Sequence, residues 1–430
     1  MSTLTSAAPP AVTSRSQLGS IAIIGALFFI FGFVTWLNGP LITFAQLAFE
    51  LDEVNAFLIL TAFFLSYFFL AIPSSWILKR TGMKKGLALG LFVMAVGAAL
   101  FGEFCTQRWY PGALGGLFVI GGGLALLQTA SNPYISILGP IESAAQRIAV
   151  MGICNKIAGF LAPIVIGMLV MQGIGELSAK VAAADAATRE QLLDAFAAKI
   201  HAPYLAMAGL LALLAVGVLF SPLPEIDAKT ANASTGAGDA AGNGRSIFRF
   251  PHLWLGALCI FAYVGAEVMA GDAIGAYGAA FGLPLDQTKF FTSFTLGAML
   301  LGYVIGLVAI PKYVSQQDYL KWSAVLGVLL AIGAFSTSGY VSVGFVAALG
   351  FANAMMWPAI FPLAIKGLGR HTELGSALLV MGIVGGAIIP RMFAGLKQEH
   401  DFQLVFLLLM VPCYLYILFF AMRGHRVGRS

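Results

Sequence analysis

The chain has 430 residues, of which 59% are hydrophobic and only 10% charged, and its mean hydropathy is +0.90, whereas soluble domains are about 25% charged. That composition excludes a water-soluble globular protein and leaves an integral membrane protein. The net charge of +5 is accounted for by loop lysines and arginines, so it gives no reason to expect nucleic-acid binding.

Apolar stretches of about 20 residues, enough to cross a bilayer core, lie at 20–46, 55–78, 86–104, 111–138, 148–172, 203–221, 252–281, 290–310, 322–337, 340–365, 374–395 and 402–422. The expectation is an all-α membrane protein with 12 transmembrane helices. Residues 1–18 are rich in Ser, Thr, Ala and Pro and read as a disordered cytoplasmic N-terminus. They lack a clustered basic start and lead into a segment too long for a signal-peptide core, so the first helix is expected to stay as an anchor. In that helix Pro40 cannot bond the carbonyl of Trp36, and Gly39 loosens the same turn; a kink is expected there. In the fourth span Gln128 and Asn132 lie four apart on one face, and Pro133 leaves the carbonyl of Thr129 free, which makes a polar notch. After the loop 139–146, Asn155 and Lys156 lie roughly 13 Å in from Arg147 at 1.5 Å per residue. Residues 174–202 carry Leu193, Phe196 and Ile200 at three-to-four spacing and read as a surface helix.

The stretch 222–246, with AKTANASTGAGDAAGNG at its heart, is a polar linker. It divides the chain into a six-helix bundle over 19–222, a cytoplasmic linker over 223–250, a second bundle over 251–422 and a basic tail over 423–430. The seventh span holds Glu267 and Asp272, about 22 Å and about 30 Å from His252 along a helix. Intramembrane acids mark pathways or proton relays unless they are paired. Lys156 is the possible charge partner of Glu267, and Asp272 either reaches the outer mouth or breaks the helix.

Two features organise the whole. LG at 138–139 recurs at 368–369 and VMGI at 150–153 recurs at 380–383, both displaced by 230 residues, and the same offset matches Phe31 with Phe261 and Val34 with Val264. A parallel two-fold repeat is expected, with a substrate site between the halves. Sixteen lysines and arginines fall in the loops on the N-terminal side and six on the other, while Lys156 and Arg391 sit inside spans. The positive-inside rule then puts both termini in the cytoplasm.

Amides at membrane depth need partners, and beside aromatics they can line a binding site. Asn38, Gln128, Asn132, Asn155 and Asn353, with Trp36, Tyr263 and Trp357, are the candidate substrate-binding residues. Each has a plainer role open to it, as a bridge between helices or as packing. Arg391 reads as snorkelling. Cys105, Cys154, Cys259 and Cys413 form no CxxC pair and the histidines show no ligand spacing, so no disulfide, metal or cofactor is expected. No GxSxG, HExxH or P-loop occurs. The glycines of GYVIG at 302–306 and of 121–123 follow no predicted strand and read as close helix packing.

At FFIFGFVTWLNGPL (28–41), LLQTASNPYISILGP (126–140), IFAYVGAEVMAGD (260–272) and GSALLVMGIVGGAIIP (375–390), the chain resembles the fucose permease family of the major facilitator superfamily. TWLNG, the AEV of span seven and NAMMWPA bring it nearest the glucose/galactose and N-acetylglucosamine permeases. The resemblance implies two pseudo-symmetric six-helix bundles rocking about a central sugar site, in the inner membrane of a bacterium, as a monomer. It also implies cation-coupled uptake rather than catalysis. Asn155 matches a sugar-site amide, and Asn38 lies in the LN motif. The family's acid after LN is Gly39 here and its glutamate ahead of TAxNP is Gln128, so Glu267 becomes the leading titratable group, with Asp272 behind it. Proton and sodium both stay open as the coupling ion. Gln128, which both donates and accepts, suits N-acetylglucosamine and plain hexoses alike, and the resemblance makes N-acetylglucosamine the favoured sugar; glucose or galactose is the alternative, and a lipid transporter or channel a remote one.

Overall fold

A computed structural model describes residues 14–137, 144–223, 246–310, 312–368 and 371–428. The sequence readings for the N-terminal tail before residue 14, the linker core at 224–245, the repeated LG pairs and the side chain of Asn132 lie outside the described residues or side chains.

Among the described residues, twelve helical spans are long and apolar enough to cross a membrane: Ile21–Ala48, Glu53–Thr81, Met83–Thr106, Tyr110–Ser131, Arg147–Leu169 and Ala186–Phe220, then Pro251–Gly271, Leu285–Ala309, Gln316–Phe335, Gly339–Ile365, Leu374–Leu396 and Phe402–Met422. They are called spans one to twelve below. Side chains such as Phe69, Trp76, Phe92, Leu213, Phe220, Leu301 and Trp322 are exposed on the outside of the bundle. A soluble protein would bury them; here their solvent is the acyl chain, and helices are the form that satisfies backbone groups there.

The two-fold repeat is visible in the packing. Span one packs on five, two on four, three on four and six; span seven packs on eleven, eight on ten, nine on ten and twelve, so that each pair recurs with six added. The halves meet through spans two and eleven and through five and eight, two contacts that exchange under the same rule. Close approach marks the equivalent crossings. A Cβ on Gly32 would run into the carbonyl of Asn155, and one on Gly385 into the carbonyl of Phe261. Phe261 and Gly385 are displaced by 230 from Phe31 and Asn155, so the crossing of one half reappears in the other. The glycines singled out in the sequence also serve packing: a Cβ on Gly123 would lie 2.5 Å from the carbonyl oxygen of Gly90, and one on Gly302 2.8 Å from that of Phe351.

Span one is broken, as Pro40 predicts, but the break lies at Trp36–Leu37, and the second segment is Asn38–Ala48. Pro40 is the third residue of that segment, where its missing N–H costs nothing, and the ladder resumes with Leu41 N–H donating to Leu37 O at 3.2 Å. Span seven, expected as one helix over 252–281, is also two: Pro251–Gly271 and Ile274–Ala280, parted at Asp272–Ala273. Carbonyls freed at that break are taken by span eight, where Thr292 Oγ1 donates to Gly271 O at 2.8 Å and Thr295 Oγ1 to Ala270 O at 2.7 Å. The surface helix of 174–202 is a pair, Ile174–Ala183 and Ala186–Ala198, because Asp185 starts a new helix by accepting the Thr188 N–H at 2.9 Å. Leu193, Phe196 and Ile200 are buried, as their spacing requires.

Candidate functional site

The polar centre lies where spans one, five, seven and eight meet. Lys156 comes from span five, in the first half, and Glu267 from span seven, in the second; Lys156 Nζ donates to Glu267 Oε1 at 3.0 Å. Only 6% of Lys156 and 8% of Glu267 are exposed. The ammonium also stands 4.6 Å from the ring centroid of Trp36, a cation–π contact from span one. Tyr263, one turn before Glu267, lies beside its carboxylate, and Tyr303 and Tyr414 are within its electrostatic reach. The ion pair therefore bridges the two halves.

Asp272 is placed differently. It is 1% exposed, so it is not at a mouth, and it stands at the break of span seven. The Gly39 backbone amide is directed at its carboxyl, which has no other hydrogen-bond partner among the described residues. Gly39 of span one is pressed against it: a Cβ there would lie 3.1 Å from Asp272 Oδ1 and 2.5 Å from Thr292 Oγ1. Trp36 is packed in the same way on Gly271. The two broken helices thus touch, break to break, across the interface between halves.

The other predicted residues divide. Gln128 donates to Tyr67 Oη at 3.5 Å and Asn155 to Phe28 O at 3.4 Å; both are half-buried and spend one weak bond each. Asn38 is turned inward on its own helix, its Nδ2 donating to Thr35 O at 3.0 Å across the break. Asn353 is buried at the end of the first segment of span ten, with Oδ1 accepting from Tyr414 at 2.9 Å and Nδ2 unpartnered among the described residues. Trp357 stacks on Phe361, centroids 5.6 Å apart, within its own helix. Arg391 Nη1 donates to Val54 O at 3.4 Å, a tie between the halves. Sequence reasoning missed Tyr67, Tyr303, Tyr414 and Thr292. In an all-apolar span a lipid-facing and an inward-facing aromatic look alike, so only tertiary structure separates them.

One end of the interface is sealed by polar ties. Lys289 Nζ donates to Met171 O at 2.8 Å, Asp286 Oδ2 accepts from Gly175 N–H at 3.1 Å, Ser293 Oγ donates to Phe160 O at 2.8 Å and Lys397 pairs with Glu53 at 2.5 Å. With the break-to-break contact and Arg391, these lie toward the end opposite the N-terminus. Among the described residues no group of three or more His, Cys, Asp or Glu could hold a metal ion.

Twelve spans in two repeats around a polar centre define a transporter fold, and comparison with known proteins agrees. The chain belongs to the Major Facilitator Superfamily, which it matches over residues 24–390, and its relatives there are permeases and not enzymes. It is 33% identical over 418 residues, 96% of each chain, to the glucose/galactose transporter of Brucella abortus strain 9-941. It is 29% identical to the L-fucose-proton symporter of Escherichia coli K12, across 87% of this chain and 86% of that one. The solved E. coli fucose:proton symporter FucP, in its outward conformation, superposes with a TM-score of 0.73 at 24% identity, covering 95% of this chain and 99% of that one.

Proposed function

We propose that this protein is a cation-coupled symporter of a neutral hexose, working by alternating access in the inner membrane of a bacterium, as a monomer with both termini cytoplasmic. The observation that carries the reading is the buried Lys156–Glu267 pair, held between the two halves against Trp36 and beside Tyr263. A buried ion pair adds little net stability against apolar packing. Its place at the hinge of the halves gives it a use instead.

Glucose or galactose leads among the hexoses, because relatives aligned over nearly the whole chain carry those names. N-acetylglucosamine is the second reading, favoured by Gln128, whose amide both donates and accepts and spends only one long bond on Tyr67. Asn155 and Gln128 are the proposed sugar ligands, with Trp36 and Tyr263 as the flat faces; Asn38, Asn353 and Trp357 act through the helix breaks and packing that shape the site. Asn132 belongs to the same face as Gln128 by its spacing.

Competition by unlabelled sugars against labelled glucose uptake in proteoliposomes tests this. Glucose or galactose is expected to compete at lower concentration than N-acetylglucosamine and fucose, and Gln128→Ala and Asn155→Ala to weaken it by about 1–3 kcal/mol each. Better competition by N-acetylglucosamine selects the second reading; no competition by any sugar sinks both.

A further inference from the structure

We infer that Asp272 carries the coupled cation, that this cation is one proton per sugar, and that its uptake licenses closure of spans one and seven. The inference rests on the symport reading and names the group and ion that serve it.

The buried centre contains one ammonium, Lys156, and two carboxyl groups, Glu267 and Asp272, with Lys156 and Glu267 both within electrostatic reach of Asp272. Lys156 is already committed to Glu267 at 3.0 Å. The remaining groups facing Asp272 are neutral: the Gly39 backbone amide from span one, Thr292 from span eight and Trp36 on the adjacent Gly271. Thr292 spends its hydroxyl proton on Gly271 O, so it has none to give the carboxylate. The cluster is electrically neutral only if it takes up one further positive charge. A buried unpaired charge is neutralised in practice because its desolvation is so costly.

Geometry selects the proton. Both Asp272 oxygens are buried with no partner but the Gly39 backbone amide among the described residues, and Gly39 is packed so closely that a Cβ on it would lie 3.1 Å from Asp272 Oδ1 and 2.5 Å from Thr292 Oγ1. A sodium ion needs several oxygens around it, and no second acid is placed to help, since Glu267 is held by Lys156. A proton needs no room.

The location supplies the coupling. Asp272 sits in the contact between two broken helices from opposite halves, so its charge is felt where the halves part. With a proton on the carboxyl, the contact with Gly39 is neutral and can close dry. Once that proton leaves to water on the far side, the bare carboxylate needs hydration and the contact opens. The proton enters and leaves with the sugar, and no other group changes charge.

The test uses the full chain in proteoliposomes with an internal pH dye, and glucose, galactose and N-acetylglucosamine as probes. Wild type is expected to move one proton per sugar and to accumulate sugar about 50-fold at 100 mV, the equivalent of about 2.3 kcal/mol. Asp272→Asn is expected to keep sugar counterflow while accumulation falls to simple equilibration and the dye signal vanishes. Accumulation with proton entry in Asp272→Asn, or wild-type accumulation driven by sodium with no proton movement, overturns the inference. Infrared difference spectra on raising the pH provide a second readout that needs no sugar. A protonated-carboxyl band that titrates away in wild type and is missing from Asp272→Asn supports the assignment, and its absence from wild type or its persistence in Asp272→Asn overturns it. Lack of counterflow for all three sugars in wild type counts against the symport reading, and the infrared result still decides whether a buried carboxyl holds a proton.

Discussion

Removing the Lys156 ammonium alone leaves the Glu267 carboxylate buried without its cation, and that is the costly way to break the pair. One-sided removal of a buried ion-pair partner costs about 3–5 kcal/mol, whereas replacing both partners with apolar or neutral groups of similar volume is often close to neutral. Lys156→Ala is therefore expected to lower the thermal unfolding midpoint in detergent strongly, and Lys156→Met combined with Glu267→Gln to recover most of the loss. Equal loss in the single and double variants would show that the pair contributes packing and not charge. Sequence could place both residues at depth, because depth is a count along a helix. It could offer the pairing only as a possibility, since 111 residues separate the partners. For Asp272 the sequence left two roles open, the mouth or a helix break; span seven ends at Gly271, and the contact of Gly39 with Asp272 selects the break.

At the scale of elements, the repeat offset seen in a few identical residues became a pair of equivalent helix crossings. Gly32 lies against the Asn155 carbonyl and Gly385 against that of Phe261, on opposite partners of the two crossings. Any side chain at either position forces helices apart in a region with backbone on both sides. Gly32→Val and Gly385→Val are expected to reduce folded, monodisperse protein sharply. Gly209, in span six, has nothing within 4 Å of where its Cβ would stand. Gly209→Ala is expected to be tolerated or slightly stabilising, by up to about 1 kcal/mol from helix propensity. Size-exclusion yield and unfolding temperature of the three variants separate close packing from a general intolerance of spans to glycine loss. The break of span one was legible because Pro40 announced it, although Pro73, Pro163 and Pro412 sit inside unbroken helices. The break at Asp272 carries no proline; span-eight threonines sustain it, and no local pattern reveals a partner twenty residues on.

For the whole molecule, the sealed end and the charge bias make a joint prediction. Lysines and arginines crowd the loops on the N-terminal side, so the positive-inside rule makes that side cytoplasmic and the sealed end external. In a cysteine-free background, Ala179→Cys should then be labelled from outside by an impermeant maleimide and Lys85→Cys should not; the reverse pattern would overturn the orientation. The seal itself depends on few groups. Lys289 holds Met171 O across spans five and eight, and Lys397 holds Glu53 across eleven and two, the two interfaces that exchange under the repeat. Each such tie is worth up to about 1 kcal/mol where it is partly screened. Losing both shifts the equilibrium between sealed and open by up to about 30-fold, since 1.4 kcal/mol is about tenfold. Thr292→Cys, buried under the seal beside Gly39, reports that shift. Its labelling from outside is expected to be slow in the parent and to accelerate when Lys289→Ala and Lys397→Ala are added, with each single change giving about half of the effect on a logarithmic scale. If the rate is unchanged, the ties do not hold the halves together, and the break-to-break contact of spans one and seven carries the closure by itself.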